Sequence, residues 1–139
     1  MRTGNGIGDR MTIGAFSALI FAMFAANAGV PSVEEAAFIN GKKILLYVDR
    51  KAGIIVNHDC RKRDGTLNCH AVKALKKASL KNVMIEGGAN PGAVLCGGLG
   101  GIVVLAVDSH KNETSYCRFP DGSVVASGSI TFHARKNDQ

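Results

Sequence analysis

Four cysteines, Cys60, Cys69, Cys96 and Cys117, constrain this chain more than any other feature. A covalent cross-link dictates which segments must be neighbours, and an even cysteine count in a short exported chain is read first as a disulfide framework. Three pairings are formally possible. Cys60 with Cys69 and Cys96 with Cys117 are favoured, because each closes a local loop within one supersecondary unit. In the chain-entropy picture, loops of about ten and about twenty residues contribute roughly 3 kcal/mol each. That is comparable to the whole net stability of a marginal domain.

The oxidising compartment is inferred from the start of the chain. Arg2 and Arg10 precede an uncharged run from Ile13 to Ala26, which closes on Ala26-Asn27-Ala28 ahead of Gly29 and Pro31. A charged start, a short apolar middle and a small-residue exit describe a secretory signal peptide, and the run is too short to span a bilayer as a helix. Cleavage is placed after Ala28, with Met11 as an alternative start to Met1. The expected location is periplasmic or secreted, with no transmembrane anchor after cleavage. Removing residues 1–28 leaves 111 residues without a tryptophan, enough for a modest core that stapling would support.

The mature chain divides by pattern at Gly87-Gly88. Residues 29–88 form a basic N-terminal region. After a polar opening at Ser32-Val33-Glu34-Glu35, Lys43 to Val48 and Gly53 to Val56 read as two strands of a hairpin joined through Asp49-Arg50-Lys51-Ala52. A polar loop from His58 to Asn68 follows, and from His70 the spacing of Val72, Leu75 and Leu80 predicts a helix with Lys73, Lys76 and Lys77 on its solvated side.

Residues 89–134 form the second expected unit. Asn90 is an N-cap and Pro91 occupies the first helical position, where its missing donor costs nothing. The helix through Ala93 to Cys96 must stop by Gly97-Gly98 or Gly100-Gly101. Ile102 to Val107 and Ser115 to Phe119 read as strands, Pro120-Asp121-Gly122-Ser123 as a tight turn, and Val124 to Ala126 and Ile130 to His133 as further strands. The tail from Ala134 to Gln139, with residues 135–139 outside the second unit, is expected to fray. The expected fold class is therefore α+β: a short helix packed on a small, disulfide-stapled antiparallel β-meander, preceded by a β-hairpin and a helix segment.

Asn90-Pro91, Cys96, Gly100-Gly101 and Cys117-x-Phe119-Pro120-Asp121-Gly122-Ser123 together resemble a small exported bacterial domain family of unknown function, whose members are often labelled haemolysins. The resemblance covers residues 90–133. It implies one short helix on a small sheet, with Cys96 and Cys117 as its disulfide. It carries no mechanism that maps onto residues. Gly92-Ala93 stands where the family commonly has Ala-Ser, Leu95 where an aromatic often precedes the first cysteine, and Val124 to Gly128 where an acidic and aromatic stretch is usual.

Sites of chemistry are scarce. His58-Asp59-Cys60 and Cys69-His70 contain zinc-ligand types, but structural zinc sites pair ligands two to four residues apart, and an oxidising compartment favours the disulfide. A nucleophilic cysteine with His70 as base lacks an oxyanion element. Asp108-Ser109-His110 contains triad residue types, yet triads assemble in space rather than as consecutive residues. Gly97 to Gly101 precedes a strand and lacks the Lys-Ser/Thr of a phosphate loop. No catalytic residue, metal or cofactor is expected.

Charge is the remaining signal. Between Lys42 and Lys81 stand eleven Lys or Arg against three Asp. Arg61, Lys62, Arg63, Lys73, Lys76 and Lys77 are the candidate contacts for an anionic partner. Nucleic acid is disfavoured, because the chain is exported and the run lacks interleaved aromatics. The expected function is a non-enzymatic module binding an anionic envelope component or an acidic protein. Two alternatives are a membrane-perturbing effector, as the haemolysin label suggests, and a protease inhibitor presenting Arg61-Lys62-Arg63-Asp64-Gly65 to a trypsin-like pocket.

Overall fold

The computed structural model describes residues 32–139. The expected signal peptide and its cleavage point lie outside these residues. Among the described residues the order is β1 (Val33–Ile39), β2 (Lys42–Asp49), β3 (Ile54–Asn57), α1 (His70–Lys77), α2 (Pro91–Gly98), β4 (Ile102–Asp108), β5 (Glu113–Arg118), β6 (Val124–Ala126) and α3 (Ser127–Asn137). A 3₁₀ turn, His58–Cys60, leads out of β3. No described helix is long and apolar enough to cross a membrane.

The strands close into an antiparallel barrel in the order β1-β2-β3-β6-β5-β4. This corrects the expected meander with one stapled helix. Three strands come from either side of Gly87-Gly88, and closure needs β6 to pair with β3 as well as β5. β1, whose first residues Val33-Glu34-Glu35 read as a polar opening, pairs along its whole length with β2. Asn40 and Gly41, at φ of 50° and 75°, make the tight turn between them. An Asn-Gly pair with both residues at positive φ matches the right-handed twist of a two-residue hairpin.

The second correction concerns Ile130 to His133, expected as a strand and found within α3. β-Branched and aromatic residues favour strands only weakly, and packing overrides the preference. Here Ser127, Ile130 and Ala134, spaced by three and four, are all fully buried on one side of a helix.

Strand alternation produces two cores. Ala37, Ile39, Leu46, Val48, Ala106, Tyr116, Val124 and Ala126 point into the barrel and fill it. Burial among these residues, with some repulsion from Glu35 and Asp108, pushes the Tyr116 phenol up to about 12. The alternate residues Val56, Cys117 and Val125 face outward and are covered by Leu75, Leu95, Cys96 and Ile130 of the helices. The disulfide Cys96–Cys117 lies in this outer layer and ties α2 to β5; Cys60–Cys69 closes the loop before α1. α2 begins as its sequence specifies, with the Asn90 carboxamide oxygen accepting from Gly92 N at 3.0 Å and Pro91 in the first turn. A Cβ on Gly92 would collide with the Ser127 carbonyl of α3, and one on Gly101 with the Cys117 sulfur.

α1 has no capping side chain of its own. The Pro120-Asp121-Gly122-Ser123 turn supplies the cap: Asp121 Oδ2 accepts from His70 N at 2.9 Å and Ser123 Oγ from Ala71 N at 3.0 Å. At the other end Asn137 Nδ2 donates to the carbonyls of Leu75 and Ala78, both at 2.9 Å. Asp138 accepts from Ser79 Oγ and Leu80 N. The last turn of the chain is thus the C-terminal clamp of α1, not a frayed tail.

Two outcomes are expected. Replacing both Cys96 and Cys117 with alanine lowers the unfolding free energy in urea by about 3 kcal/mol, because the denatured chain regains the freedom of a roughly twenty-residue loop. Asp121→Ala costs about 1 kcal/mol at neutral pH as a lost cap. Partial burial works against ionisation of Asp121, but bonds from the Ser123 hydroxyl and from the His70 and Ser123 N–H groups hold its carboxyl below the ordinary 3.8. A depressed carboxylate pKa stabilises fully above the unfolded value and loses that contribution as pH falls through the folded value. The gap between wild type and Asp121→Ala should therefore shrink below about pH 4 in acid titrations of stability.

Candidate functional site

Closure of the barrel gathers cations from distant parts of the chain at one end. β2 begins with Lys42-Lys43 directly after the Asn40-Gly41 turn, β3 ends at Asn57 before His58, and β5 ends at Arg118. Antiparallel pairing puts these three termini together: Arg118 is the register partner of Val124, and Val124 N donates to Asn57 Oδ1 at 2.9 Å. The barrel mouth is a depression of about 550 Å³, with Lys42, Lys43, His58 and Arg118 around it, an apolar floor including Ile39, Ile44 and Val124, and Asp59 as its carboxylate.

A second depression of about 260 Å³, lined by His58, Arg61, Lys62, Arg63 and Gly65, adjoins the first across His58. Its loop is held rigidly. The disulfide closes the base, Lys62 N donates to Thr66 O at 2.8 Å, and Asn68 N to Cys60 O at 2.8 Å. Asp64 accepts from both the hydroxyl and the N–H of Thr66, bonds that keep its carboxyl below the ordinary range. Arg61 lies over the Tyr47 ring at 5.4 Å from the centroid, a cation–π contact that orients the guanidinium against the barrel wall. His58 Nε2 meets Glu34 Oε1 at 2.8 Å, so β1 anchors the imidazole that both depressions share.

Of the six cations singled out in the sequence, Arg61, Lys62 and Arg63 stand in this surface. Lys73, Lys76 and Lys77 project from the exposed side of α1 and line neither depression. Lys42, Lys43, His58 and Arg118 join the site through strand register. Lys42 and Lys43 were visible as part of a basic run, whereas nothing local to Arg118 associates it with them.

The chemical alternatives resolve into structural roles. Cys60 and Cys69 are bonded to each other, His58 is paired with Glu34, and the His70 ring stacks on Phe119 at 4.7 Å. Among the described residues no group of three or more His, Cys, Asp and Glu is placed to hold a metal. Asp108, Ser109 and His110 form the β4–β5 turn, in which Asp108 accepts from His110 N and Asn112 N, both at 2.8 Å. The Asn112 side-chain amide, donating from Nδ2 to Asp108 Oδ2 at 3.0 Å, and then these N–H groups lower the Asp108 pKa and commit its carboxylate to the turn. Gly97 and Gly98 end α2, and Gly101 N returns to Cys96 O at 3.0 Å.

A larger, open groove of about 830 Å³ runs between the start of α2 and α3. Asn90 and Thr131 in it both accept from Gly92 N, and its two cations, Arg135 and Lys136, both come from α3 with none added by another element. The basic surface around His58 is therefore the stronger candidate. No curated protein and no solved structure matches this chain. Residues 87–127, which carry α2, β4, β5, β6 and the cysteine pair Cys96–Cys117, match the family described as Domain of unknown function (DUF333).

Proposed function

We propose that the protein is an exported, non-catalytic binding module that engages an anionic component of the cell envelope through the surface around His58. The observation that carries this reading is the convergence of Lys42, Lys43, Arg61, Lys62, Arg63 and Arg118 on two adjoining depressions. Facing them are the carboxylate of Asp59 and that of Glu34, which is already paired with His58. A cluster of one sign on a low-dielectric wall raises the local concentration of oppositely charged ligand. Two disulfides support passage through an oxidising compartment. The cations are spread over two adjoining depressions rather than converging on one point, which favours a repeated phosphate or carboxylate array over a single small ion.

The test is binding of the full chain to vesicles of anionic lipid and to soluble polyanions across a salt series. Affinity should fall steeply with ionic strength. Each Lys or Arg near an anionic surface contributes about 1 kcal/mol, so alanine at Arg61, Lys62 and Arg63 together should weaken binding about 100-fold. Alanine at Lys73, Lys76 and Lys77 should have a much smaller effect. Salt-insensitive binding, or equal losses from both triple variants, would overturn the assignment.

A further inference from the structure

The outer wall of the barrel away from the helices carries an uncovered apolar stripe. Strand alternation turns Val103, Leu105 and Val107 of β4 outward, beside Phe38 of β1 and Leu45 of β2, and these five side chains are 37–55% exposed. They are contiguous, since Val107 is the register partner of Phe38 and Leu45 that of Ala36 on the same face of β1. The largest apolar patch on a monomer surface is often functional, and patches beyond a few hundred Å² mark interaction sites. The closed sheet has no free edge through which to recruit another strand, so a partner covering this stripe packs on the face of the sheet rather than extending it.

The charges flanking the stripe identify the partner. One row across four strands reads Glu113, Val107, Phe38, Lys43, each the register partner of the next. An acid bounds the apolar pair on one side and a base on the other. A two-fold axis along the stripe lays it on its own copy and turns Glu113 of one chain toward Lys43 of the other, twice. That is the self-complementarity an isologous interface requires. A purely anionic surface, by contrast, would meet Glu113 with like charge.

We propose that this face pairs two copies of the chain into a dimer, with Val103, Leu105, Val107, Phe38 and Leu45 as its centre and Glu113–Lys43 ion pairs on both flanks. With an apolar centre of five side chains per chain, the expected association is weak and reversible. The face shares Lys43 and Leu45 with the barrel-mouth depression, but Val103, Leu105, Val107 and Phe38 line neither depression, so Leu105→Asp separates this inference from the anionic-ligand reading.

Sedimentation equilibrium of the full chain over a concentration series tests it. Wild type should show a reversible monomer–dimer equilibrium that Leu105→Asp abolishes. Lys43→Glu alone and Glu113→Lys alone should each weaken the dimer by about tenfold or more, since each places like charges opposite one another. The double variant Lys43→Glu/Glu113→Lys should restore it, which also shows that the variants fold. A wild type that stays monomeric to millimolar concentration would overturn the proposal. Dimerisation indifferent to Leu105→Asp would overturn it in favour of association elsewhere, including through residues 1–31. Vesicle binding that Leu105→Asp removes while the chain remains monomeric would assign the face to lipid instead.

Discussion

The two seams that close the sheet are the contacts on which everything else rests. β1, β2 and β3 form one antiparallel run and β4, β5 and β6 another, and each alone would leave an apolar face open to water. They join through Ala37, Phe38 and Ile39 on β4 at one seam and through Val56 on Val125 at the other. The second seam is thin and is reinforced from outside the ladder. Asn57 Oδ1 accepts from Val124 N, and Ser129 Oγ of α3 accepts from Ile55 N. Closure places two aliphatic sets back to back on opposite faces of the same strands, one inside the barrel and one beneath the helices, so neither layer exists without the seams.

The helical layer depends on reciprocal support over long sequence separations. α1 is only eight residues long, below the length at which an isolated helix is stable in water. Its buried Ala71, Val72, Ala74 and Leu75 dock it on the sheet, while Asp121, Ser123 and Asn137 satisfy its terminal backbone groups. The Phe-Pro-Asp-Gly-Ser turn thus serves a helix fifty residues upstream as well as its own hairpin. This connects the part of the chain that matches a known domain family to the part that does not.

The basic surface inherits its geometry from the same closure. Arg61, Lys62 and Arg63 were readable as a polar, disulfide-bounded loop, because Asp64-Gly65 and the flanking cysteines are local signals. Arg118 was not readable, since its place beside Lys42 depends on β5 pairing with β6 and β6 with β3. Charge alone groups Lys73, Lys76 and Lys77 with these cations, but α1 places them on its own exposed side, outside both depressions. Residue type identified the cations, and strand register decided which of them act together.

Local chemistry fixed many pieces of this protein in advance. The Asn90 cap, Pro91, the glycine stop after α2, the aliphatic strands β2 and β4 and both cysteine pairs follow from φ preference, missing donors, side-chain periodicity and loop closure over short distances. Asn40-Gly41 belongs with them, a local hairpin signal whose two residues adopt the positive φ of a two-residue turn. The barrel, the helical state of Ile130 to His133 and the clamp formed by Asn137 and Asp138 do not follow from any local rule. A three-residue strand such as β6 has too little pattern to announce two partners, and an Ile-Thr-Phe-His run is compatible with either strand or helix until a buried surface selects the three-and-four spacing of Ser127, Ile130 and Ala134. Those outcomes are set by which apolar faces must be covered at once, a condition satisfied only when both halves of the chain are folded together.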